Sequence, residues 1–339
     1  MTTHDVDADL SKLLMGFRVS QAIHVAATLG LADLLAPGAR ASDELAAATN
    51  THPLALYRLM RALASAGIFR EDDHRRFELT PVGELLRSHV AGTQAPMAQM
   101  VGRPSYWQAW GDLLHGVRSG ETAFDHVHGT DVWAYRASNA QEGEIFDRAM
   151  AALTDRFAAA VAAVCDFDRF ASVVDVGGGD GTFLARMLTA HPRIHATLLD
   201  QPHVIARAAA SFESLGLSSR CRAVGGNFFV SVPEGGDAYL LKSILHDWDD
   251  KASADILRIC RQAMKPTSRL LVVEHVIGPP NTGPEGKFAD LHMLVINGGR
   301  ERTRDEFAAL FDQAGFHLVS VTPTATPLSV IEGLPEIPG

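Results

Sequence analysis

The sequence of 339 residues has few cysteines, no long apolar run and no excess of positive charge. Its three cysteines, Cys165, Cys221 and Cys260, form no C-x-x-C pair, so neither a disulfide framework nor a zinc knuckle is expected. They are predicted to be free thiols in a reducing compartment. No run of 18 apolar residues occurs, and the polar, acidic start at residues 1–5 lacks the apolar core of a signal peptide. A cytoplasmic protein without a membrane partner is therefore predicted.

The charge balance bears on the class of partner. With 30 Lys and Arg against 40 Asp and Glu, the formal net charge is −10. A general nucleic-acid binder normally carries a basic face, so this composition argues against one. A hydrophobic content of 47% and a charged content of 21% are ordinary for a globular protein, and the length predicts two domains.

One glycine-rich stretch carries the first chemical signal. The apolar run 173–176 reads as a buried strand, and it leads into a G-x-G-x-G turn followed by a helix that begins near Thr182. A dinucleotide fingerprint would need a small residue where Thr182 stands. Asp175 and Asp180 place carboxylates at the turn, which would repel a diphosphate but suit a cationic ligand. The turn predicts a ligand without phosphate.

A second acid completes this pattern. Asp200 ends the next predicted strand, 19 residues after Gly181, where an acid can bind both hydroxyls of a ribose. An acid-lined turn with a ribose-binding acid suits S-adenosylmethionine, which has a ribose, a sulfonium and an ammonium group but no phosphate. Asp175, Gly177, Gly179 and Asp200 are thus candidate cofactor residues. A nucleotide site and an ordinary βα turn remain the alternatives at this point.

The N-terminal domain, residues 1–95, reads as helices followed by a β-wing, as in a winged helix. The elements are an amphipathic segment 10–35, helices at 41–46 and 53–63, and two short strands at 68–70 and 76–80. A winged helix often binds DNA, but this region has 9 Lys and Arg against 11 Asp and Glu. A dimerisation or lid module is the favoured interpretation, because the first helix is unusually apolar.

Residues 96–165 are predicted to be helical and rich in aromatic side chains, with three of the four tryptophans. Packing between domains explains most of these, but some, such as Trp107 and Phe146, could form one wall of an apolar pocket for a planar ligand. From residue 166 onward strands and helices alternate, which predicts a doubly wound, mostly parallel sheet of Rossmann type. Two last strands, 316–322 and 328–332, predict an antiparallel hairpin at its edge.

The predicted strand ends converge on one rim of this sheet. His246 follows the fourth strand, and histidine is the side chain that accepts a proton near neutral pH. Glu274 and Glu301 are candidates to orient its second ring nitrogen. A helix-capping or core histidine is the alternative. A histidine of ordinary pKa would suffice for a phenol, and no metal is required. His126 and His128 are expected in a loop without ligand spacing.

Several motifs together resemble one enzyme class, the S-adenosylmethionine-dependent small-molecule O-methyltransferases of plant phenolics, acetylserotonin and bacterial polyketides. The resemblance covers almost the whole chain and rests on residues 174–181, 200–204, 226–229, 242–248 and 298–303. It implies a winged-helix-like dimerisation domain (1–95), a helical linker that contributes to the substrate pocket (96–165) and a methyltransferase domain (166–339). It also implies a homodimer whose partner subunit helps to close the pocket.

The resemblance implies roles for single residues. His246 resembles the general base, flanked by Glu274 and Glu301. The cofactor contacts are Gly177, Asp200, Asn227, Phe228 and Lys242, and the substrate positions are Met150, Met293 and Asn297, to which Trp107, Phe146 and Asp247 are added as candidates. Asn227 departs from the family, which usually has an acid there. Its carbonyl can still accept a hydrogen bond from the adenine amino group, without the help of a charge.

The expected reaction is therefore methyl transfer to a phenol-like hydroxyl of a bacterial natural product. A relative that binds the cofactor but catalyses hydroxylation or a pericyclic step is the first alternative. A winged-helix regulator with a ligand domain is the second, and a nicotinamide-dependent dehydrogenase is the weakest. Formation of S-adenosylhomocysteine, a salt-sensitive DNA complex or binding of NADH would tell these apart.

Overall fold

The computed structural model describes residues 3–336, with side chains described from residue 9 onward. The chain forms two compact units. The first contains the described residues up to Gln108 together with Arg136–Leu153, and the second contains Ala109–Tyr135 and the residues from Thr154 onward. The helices in the middle of the sequence are therefore divided between the two units.

The first unit begins with the predicted helices and wing. Its elements are α1 (Thr3–Leu14), α2 (Gly16–Thr28), α3 (Leu31–Leu35), β1 (Arg40–Ala41), α4 (Ser42–Thr49), α5 (Pro53–Ser65), β2 (Phe69–Glu71), β3 (Arg76–Leu79), α6 (Pro81–Glu84) and α7 (Ala95–Val101). The three strands pair antiparallel in the order β1-β3-β2. Helix α5 starts with Pro53 at its first position and buries Leu56, Met60 and Leu63, one face of a helix, in the core of this unit.

The helical middle is confirmed. It consists of α8 (Pro104–Gly111), α9 (Leu113–Ser119), α10 (Ala123–His128), α11 (Val132–Ser138) and α12 (Ala140–Ala162). The expectation that His126 and His128 lie in a loop is wrong, because both belong to α10. The helix ends at Gly129, which adopts the left-handed conformation (φ +69°) that terminates helices.

The second unit is built on one large sheet. After a 3₁₀ turn at Phe167–Arg169 come β4 (Ser172–Val176), α13 (Thr182–Ala190), β5 (His195–Asp200), α14 (Pro202–Ser214), β6 (Cys221–Gly225), β7 (Ala238–Lys242), a 3₁₀ turn at Leu245–Asp247, α15 (Asp250–Ala263), β8 (Arg269–Ile277), α16 (Pro284–Ile296), β9 (Arg302–Thr303), α17 (Arg304–Gln313), β10 (Phe316–Pro323) and β11 (Leu328–Pro335). Helix α16 is absent from the sequence-based prediction.

The strand order is β10-β11-β8-β7-β4-β5-β6, and the short strand β9 pairs in parallel with β8. Strands β8, β7, β4, β5 and β6 are parallel, whereas β11 runs antiparallel to β8 and carries β10 at the edge. The predicted Rossmann-type sheet and terminal hairpin are confirmed. The chain leaves β4 toward β5 on one side and returns to β7 on the other, and ligands bind at the carboxyl ends of strands at such a switch point.

The core of this sheet is apolar on both faces. Every residue of β7 up to Leu241 is buried, as are Leu270 to Val273 of β8, which fits strands covered by helices on two sides. No helix among the described residues is long and apolar enough to span a membrane. The three cysteines are buried free thiols, as expected.

Candidate active site

The glycine turn lies between β4 and α13, at the switch point of the sheet. Gly177, Gly179 and Gly181 have φ values of +75°, +63° and +78°, a region that residues with side chains rarely adopt. A side chain at Gly177 would also collide with Ile244. At Gly179, by contrast, no atom lies within 4 Å of the position that a Cβ would occupy. The backbone at Gly179 therefore borders open space that a ligand can enter.

Asp200 closes the side of this turn. Its Oδ2 accepts a hydrogen bond from the backbone N–H of Gly179 at 2.8 Å, and its Oδ1 accepts one from the N–H of Gln201 at 2.6 Å. A carboxylate at this position is the type of group that binds the two hydroxyls of a ribose. The structure thus brings Gly177, Gly179 and Asp200 together as the sequence predicts.

Asp175 occupies a different position from the one expected. Its side chain is 1% exposed and lies beneath the turn, where a Cβ at Gly178 would collide with its carboxylate. Burial raises the pKa of Asp175 to about 7, an effect that Lys242 opposes and Asp200 reinforces. The predicted contact of Asp175 with the cofactor stays a prediction. We interpret Asp175 as a support of the turn and as a buried counter-charge to Lys242.

Lys242 ends β7, the strand beside β4. It is partly buried, and burial lowers its pKa, while Asp175, Glu274, Asp180 and Asp247 oppose this effect. An ammonium group among so many carboxylates offsets their mutual repulsion. Its predicted contact with the cofactor stays a prediction.

Asn227 and Phe228 follow β6, the next strand along the sheet after β5. The Oδ1 of Asn227 accepts a hydrogen bond from the N–H of Phe229 at 2.9 Å, so its side chain folds back on its own loop. Phe228 packs beside Gly177 and contacts the rings of Phe229 and Trp248, with centroid distances of 5.0 and 6.3 Å. Phe228 therefore borders the glycine turn, and Asn227 is exposed next to it.

His246 lies in the 3₁₀ turn after β7, surrounded by carboxylates. Its Nδ1 is 2.9 Å from Oε1 of Glu301 and 3.4 Å from Oε2 of Glu274, and its Nε2 is 3.5 Å from Oδ1 of Asp247. Glu274 and Glu301 are fully buried, and each has one carboxylate oxygen without a hydrogen-bond partner. Folding thus brings together the three predicted catalytic residues, which lie up to 55 positions apart in sequence.

The protonation of this cluster differs from expectation. Burial alone would lower the pKa of His246, but Glu274, Asp247 and Glu301 outweigh it and raise the pKa to about 10. The pKa of His246 therefore lies well above the ordinary value that would suffice for a phenol. Burial raises the pKa of Glu274 as well, an effect that His246 opposes and Glu301 reinforces. Near neutral pH the imidazole carries its proton, and the ion pairs with the two glutamates fix its orientation.

Backbone contacts hold the His246 turn in place. Oε1 of Glu274 accepts hydrogen bonds from the N–H groups of Ile244 and Leu245, both at 2.9 Å. Ser243, just before them, adopts a positive φ of 56°, a strained conformation for a residue with a side chain. The strain bends the chain sharply at the end of β7. Glu274 therefore holds both the backbone and the side chain of the segment that carries the candidate base.

Two residues that support this segment, Arg302 and Asp290, are absent from the sequence-based prediction of the site. Arg302 is 1% exposed, and its guanidinium donates to the carbonyls of Leu245 and Trp248, both at 3.0 Å, and to Asp250. Asp290 accepts the backbone N–H of Glu301 at 2.9 Å. Arg302 belongs to one of the quoted motifs, but its role depends on contacts across about fifty residues, which no local pattern reveals.

The predicted substrate residues fall into two groups. Asp247, Met293 and Asn297 lie in the second unit, where the amide of Asn297 donates to Oδ1 of Asp247 and its own Oδ1 is buried without a partner. This Asp247 oxygen is the one that neighbours Nε2 of His246. Trp107, Phe146 and Met150 belong to the first unit, and their role stays a prediction.

The residues of the switch point fit S-adenosylmethionine. An open glycine turn without a basic side chain disfavours a diphosphate, and the carboxylate of Asp200 beside the turn matches a ribose. A Rossmann-type sheet with this turn and an antiparallel terminal hairpin defines the class of S-adenosylmethionine-dependent methyltransferases. Comparison with known proteins agrees. Residues 110–317 match the model of the O-methyltransferase domain, and residues 11–89 match that of the O-methyltransferase dimerisation domain.

The chain belongs to the O-methyltransferase family. The phenazine O-methyltransferase PhzM of Lysobacter antibioticus is 43% identical over 326 residues, or 96% of this chain and 95% of that protein. The crystal structure of LaPhzM matches with a TM-score of 0.93 and 42% identity, covering 97% of this chain and 99% of that one. NcsB1, an O-methyltransferase from neocarzinostatin biosynthesis, was crystallised with S-adenosylmethionine and 2-hydroxy-5-methyl naphthoic acid. It matches with a TM-score of 0.80, 34% identity and coverage of 94% and 96%. The protein is an S-adenosylmethionine-dependent O-methyltransferase.

Proposed function

We propose that the enzyme methylates a hydroxyl group of an aromatic natural product, with His246 as the group that holds the acceptor's proton. The observation that carries this proposal is the geometry of His246. Its Nδ1 is bound by Glu301 and Glu274, so only Nε2 is available to an acceptor, beside the Asp247–Asn297 pair. An imidazole that is oriented through Nδ1 and offers Nε2, 3.5 Å from Oδ1 of Asp247, to the acceptor is the arrangement that proton transfer requires.

The raised pKa of His246 suits a phenolic acceptor. S-adenosylmethionine, when bound, supplies an electrophilic methyl group on its sulfonium. A phenol has a pKa near that of tyrosine, about 10, so a proton passes between it and an imidazole of pKa about 10 at little cost. When the acceptor oxygen bonds to the methyl carbon, the bond between sulfur and methyl would break and S-adenosylhomocysteine would leave as a neutral thioether, while Nε2 of His246 holds the proton lost by the acceptor hydroxyl. The glutamates then stabilise the imidazolium, and the buried cluster excludes water.

Roles for the cofactor-binding residues follow from their places on the rim. Asp200 would bind the ribose, Gly177 and Gly179 would approach the ligand with bare backbone, and Phe228 would pack against the adenine. Asn227 is exposed beside Phe228 and has acceptor capacity left on its Oδ1 for the adenine amino group. Without the charge of a carboxylate this hydrogen bond is weaker, so the affinity falls short of that of relatives with an acid.

The acceptor class rests on relatives and on the site together. Phenazine and naphthoic acid compounds are named for two of the similar proteins, and both are flat aromatic molecules. In this chain, Met293 is a buried neighbour of His292, whose ring stacks on Trp110 at 5.9 Å. Soft and planar side chains of this kind favour a flat acceptor. A fused-ring phenol is therefore the first compound class to screen.

The proposed quaternary structure is a homodimer. The first helices expose large apolar side chains along one segment: Leu10, Leu13, Leu14, Met15 and Phe17. Monomers rarely leave such a contiguous apolar surface uncovered. Since this segment overlaps the match to the dimerisation domain, a second copy of the chain is the partner that we infer.

Calorimetric titration with S-adenosylhomocysteine tests the assignment of the cofactor site. The wild-type protein is expected to bind it with micromolar affinity and to show no heat with NADH. The variant Asp200→Ala loses two hydrogen bonds from a charged acceptor, which predicts an affinity about 10- to 100-fold lower. An unchanged affinity of this variant would remove Asp200 from the ribose site, and binding of NADH instead would contradict the methyltransferase assignment.

A further inference from the structure

A second cluster of metal-binding side chains, which shares no residue with the His246 cluster, lies at helices α9 and α10 of the second unit. Asp112, which precedes α9, has its Oδ2 2.6 Å from Nδ1 of His126. His115, one turn into α9, has its Nε2 3.0 Å from Oε2 of Glu121. The rings of His115 and His126 stack face to face, with centroids 3.7 Å apart and planes inclined by 7°. Two imidazoles and two carboxylates thus form one patch.

The arrangement matches the ligand preferences of a transition metal. One ligand atom from each of Asp112, His115 and His126 lies within 4.8 Å of the others. Two ligands of a tetrahedral zinc ion lie about 3.3 Å apart, given metal–ligand bonds of about 2.0–2.1 Å, so the two imidazole rings would have to rotate out of their parallel stack to direct one nitrogen each at the same ion. Imidazole nitrogen is the commonest protein ligand of transition metals, and two of the three ligand atoms in this cluster are of this type.

Contacts within the second unit hold the side chains of the cluster close together without an ion. Thr122, in the loop between the two helices, lies against Gly298, and Gly116 of α9 lies against Leu294 of α16. These contacts fix α9, the loop and α10 on the same support. The four polar side chains are all partly or fully accessible to solvent, so an ion can enter directly.

We propose that Asp112, His115 and His126 bind one divalent transition-metal ion, with Zn²⁺ as the reference ion and Glu121 as an additional carboxylate. Imidazole nitrogen with carboxylate oxygen is a donor set that selects zinc and its neighbours over Mg²⁺, which prefers oxygen ligands alone. The ion fastens α9 to α10. It takes no part in methyl transfer, since His246, Glu274 and Glu301 supply none of its ligands.

The test measures zinc binding to tag-free protein by calorimetry and by elemental analysis after dialysis. We expect one high-affinity Zn²⁺ per chain and no heat with Mg²⁺. The active site is a second cluster with metal-binding groups, so His246→Ala serves as a control that must keep this ion. The variant His317→Ala, an exposed histidine on β10, is the matched surface control and must also keep it.

His115→Ala and His126→Ala are each expected to weaken Zn²⁺ binding at least tenfold and to abolish the rise in unfolding temperature that zinc gives to the wild type. Asp112→Asn provides a third variant that keeps the size of the side chain. Unchanged affinity in His126→Ala, loss of the ion only in His246→Ala, or no binding to the wild type at 100-fold molar excess of zinc would each overturn the proposal.

Discussion

The imidazole of His246 faces three carboxylates, and this decides what kind of base it is. The sequence predicts a histidine that can accept a proton near neutral pH, but Glu274, Asp247 and Glu301 raise the pKa of His246 to about 10. A protonated His246 attracts an acceptor that has already ionised. The complex of imidazolium with phenolate contains the same single proton as the complex of imidazole with phenol, so both lead to the same transition state.

This protonation state predicts an unusual pH profile. The productive complex holds one proton between His246 and the acceptor, so kcat/KM should rise through the pKa of the acceptor hydroxyl and fall through about 10. Two acceptors whose hydroxyl pKa values differ by about two should shift the acid limb by that difference and leave the alkaline limb in place. An acid limb near pH 6.5 with both acceptors would mean that His246 titrates as an ordinary histidine.

At the scale of elements, the segment after β7 depends on a buried arginine. Arg302 of β9 donates to the carbonyls of Leu245 and Trp248, on either side of His246, and to Oγ of Ser253. Because these acceptor oxygens are buried or half-buried, water cannot fully replace the hydrogen bonds that Arg302 donates to them. The segment is therefore held by Arg302 from one side and by Glu274 from the other.

The variant Arg302→Met keeps the approximate volume but removes every one of these hydrogen bonds. We expect it to lower the free energy of unfolding by about 3 kcal/mol or more, because buried acceptors lose a charged donor at about 1–3 kcal/mol each, and to reduce kcat more than it changes the affinity for S-adenosylhomocysteine. Thermal unfolding and steady-state kinetics measure both effects. Arg304→Met is the matched control, since Arg304 is exposed and pairs only loosely with Asp305. Equal effects of the two changes would contradict this role of Arg302.

Elements with their own local signal are predictable from sequence, and contacts between distant segments are not. The glycine turn and Asp200 are predicted because both lie at strand ends, where alternation of strands and helices already implies a common rim. Asp175 shows the limit, since nothing in the sequence states that its carboxylate points beneath the turn rather than into the site. His115 and His126 come from two helices, so their pairing is invisible in the spacing of either one.

At the scale of the whole molecule, the first unit has its own core, yet its first two helices expose apolar side chains. The apolar side chains of residues 10–17 are exposed in the single chain. An amphipathic helix is expected to bury such a face against another surface. We propose a homodimer through this face, which agrees with the match to the O-methyltransferase dimerisation domain. The domain boundaries at residues 95 and 165 stay predictions.

A double variant tests the proposed dimer. Leu13→Glu with Phe17→Glu places two carboxylates on this face and should convert the dimer into a monomer at micromolar concentration, as measured by light scattering after size-exclusion chromatography. Leu215→Glu changes a similarly exposed apolar residue at the end of α14 and should leave the dimer intact. A wild-type protein that is monomeric, or a double variant that remains dimeric, would exclude this interface.

Methyl transfer that depends on His246 is tested most directly by the rate of S-adenosylhomocysteine formation. This rate is measured for the wild-type protein and for His246→Ala with one fused-ring phenol. We expect turnover by the wild type and a rate 10²- to 10⁴-fold lower for the variant, with its affinity for S-adenosylhomocysteine unchanged. A variant that loses affinity as much as rate would make His246 a structural residue. Conversion of the acceptor by the wild type without any S-adenosylhomocysteine would contradict methyl transfer itself.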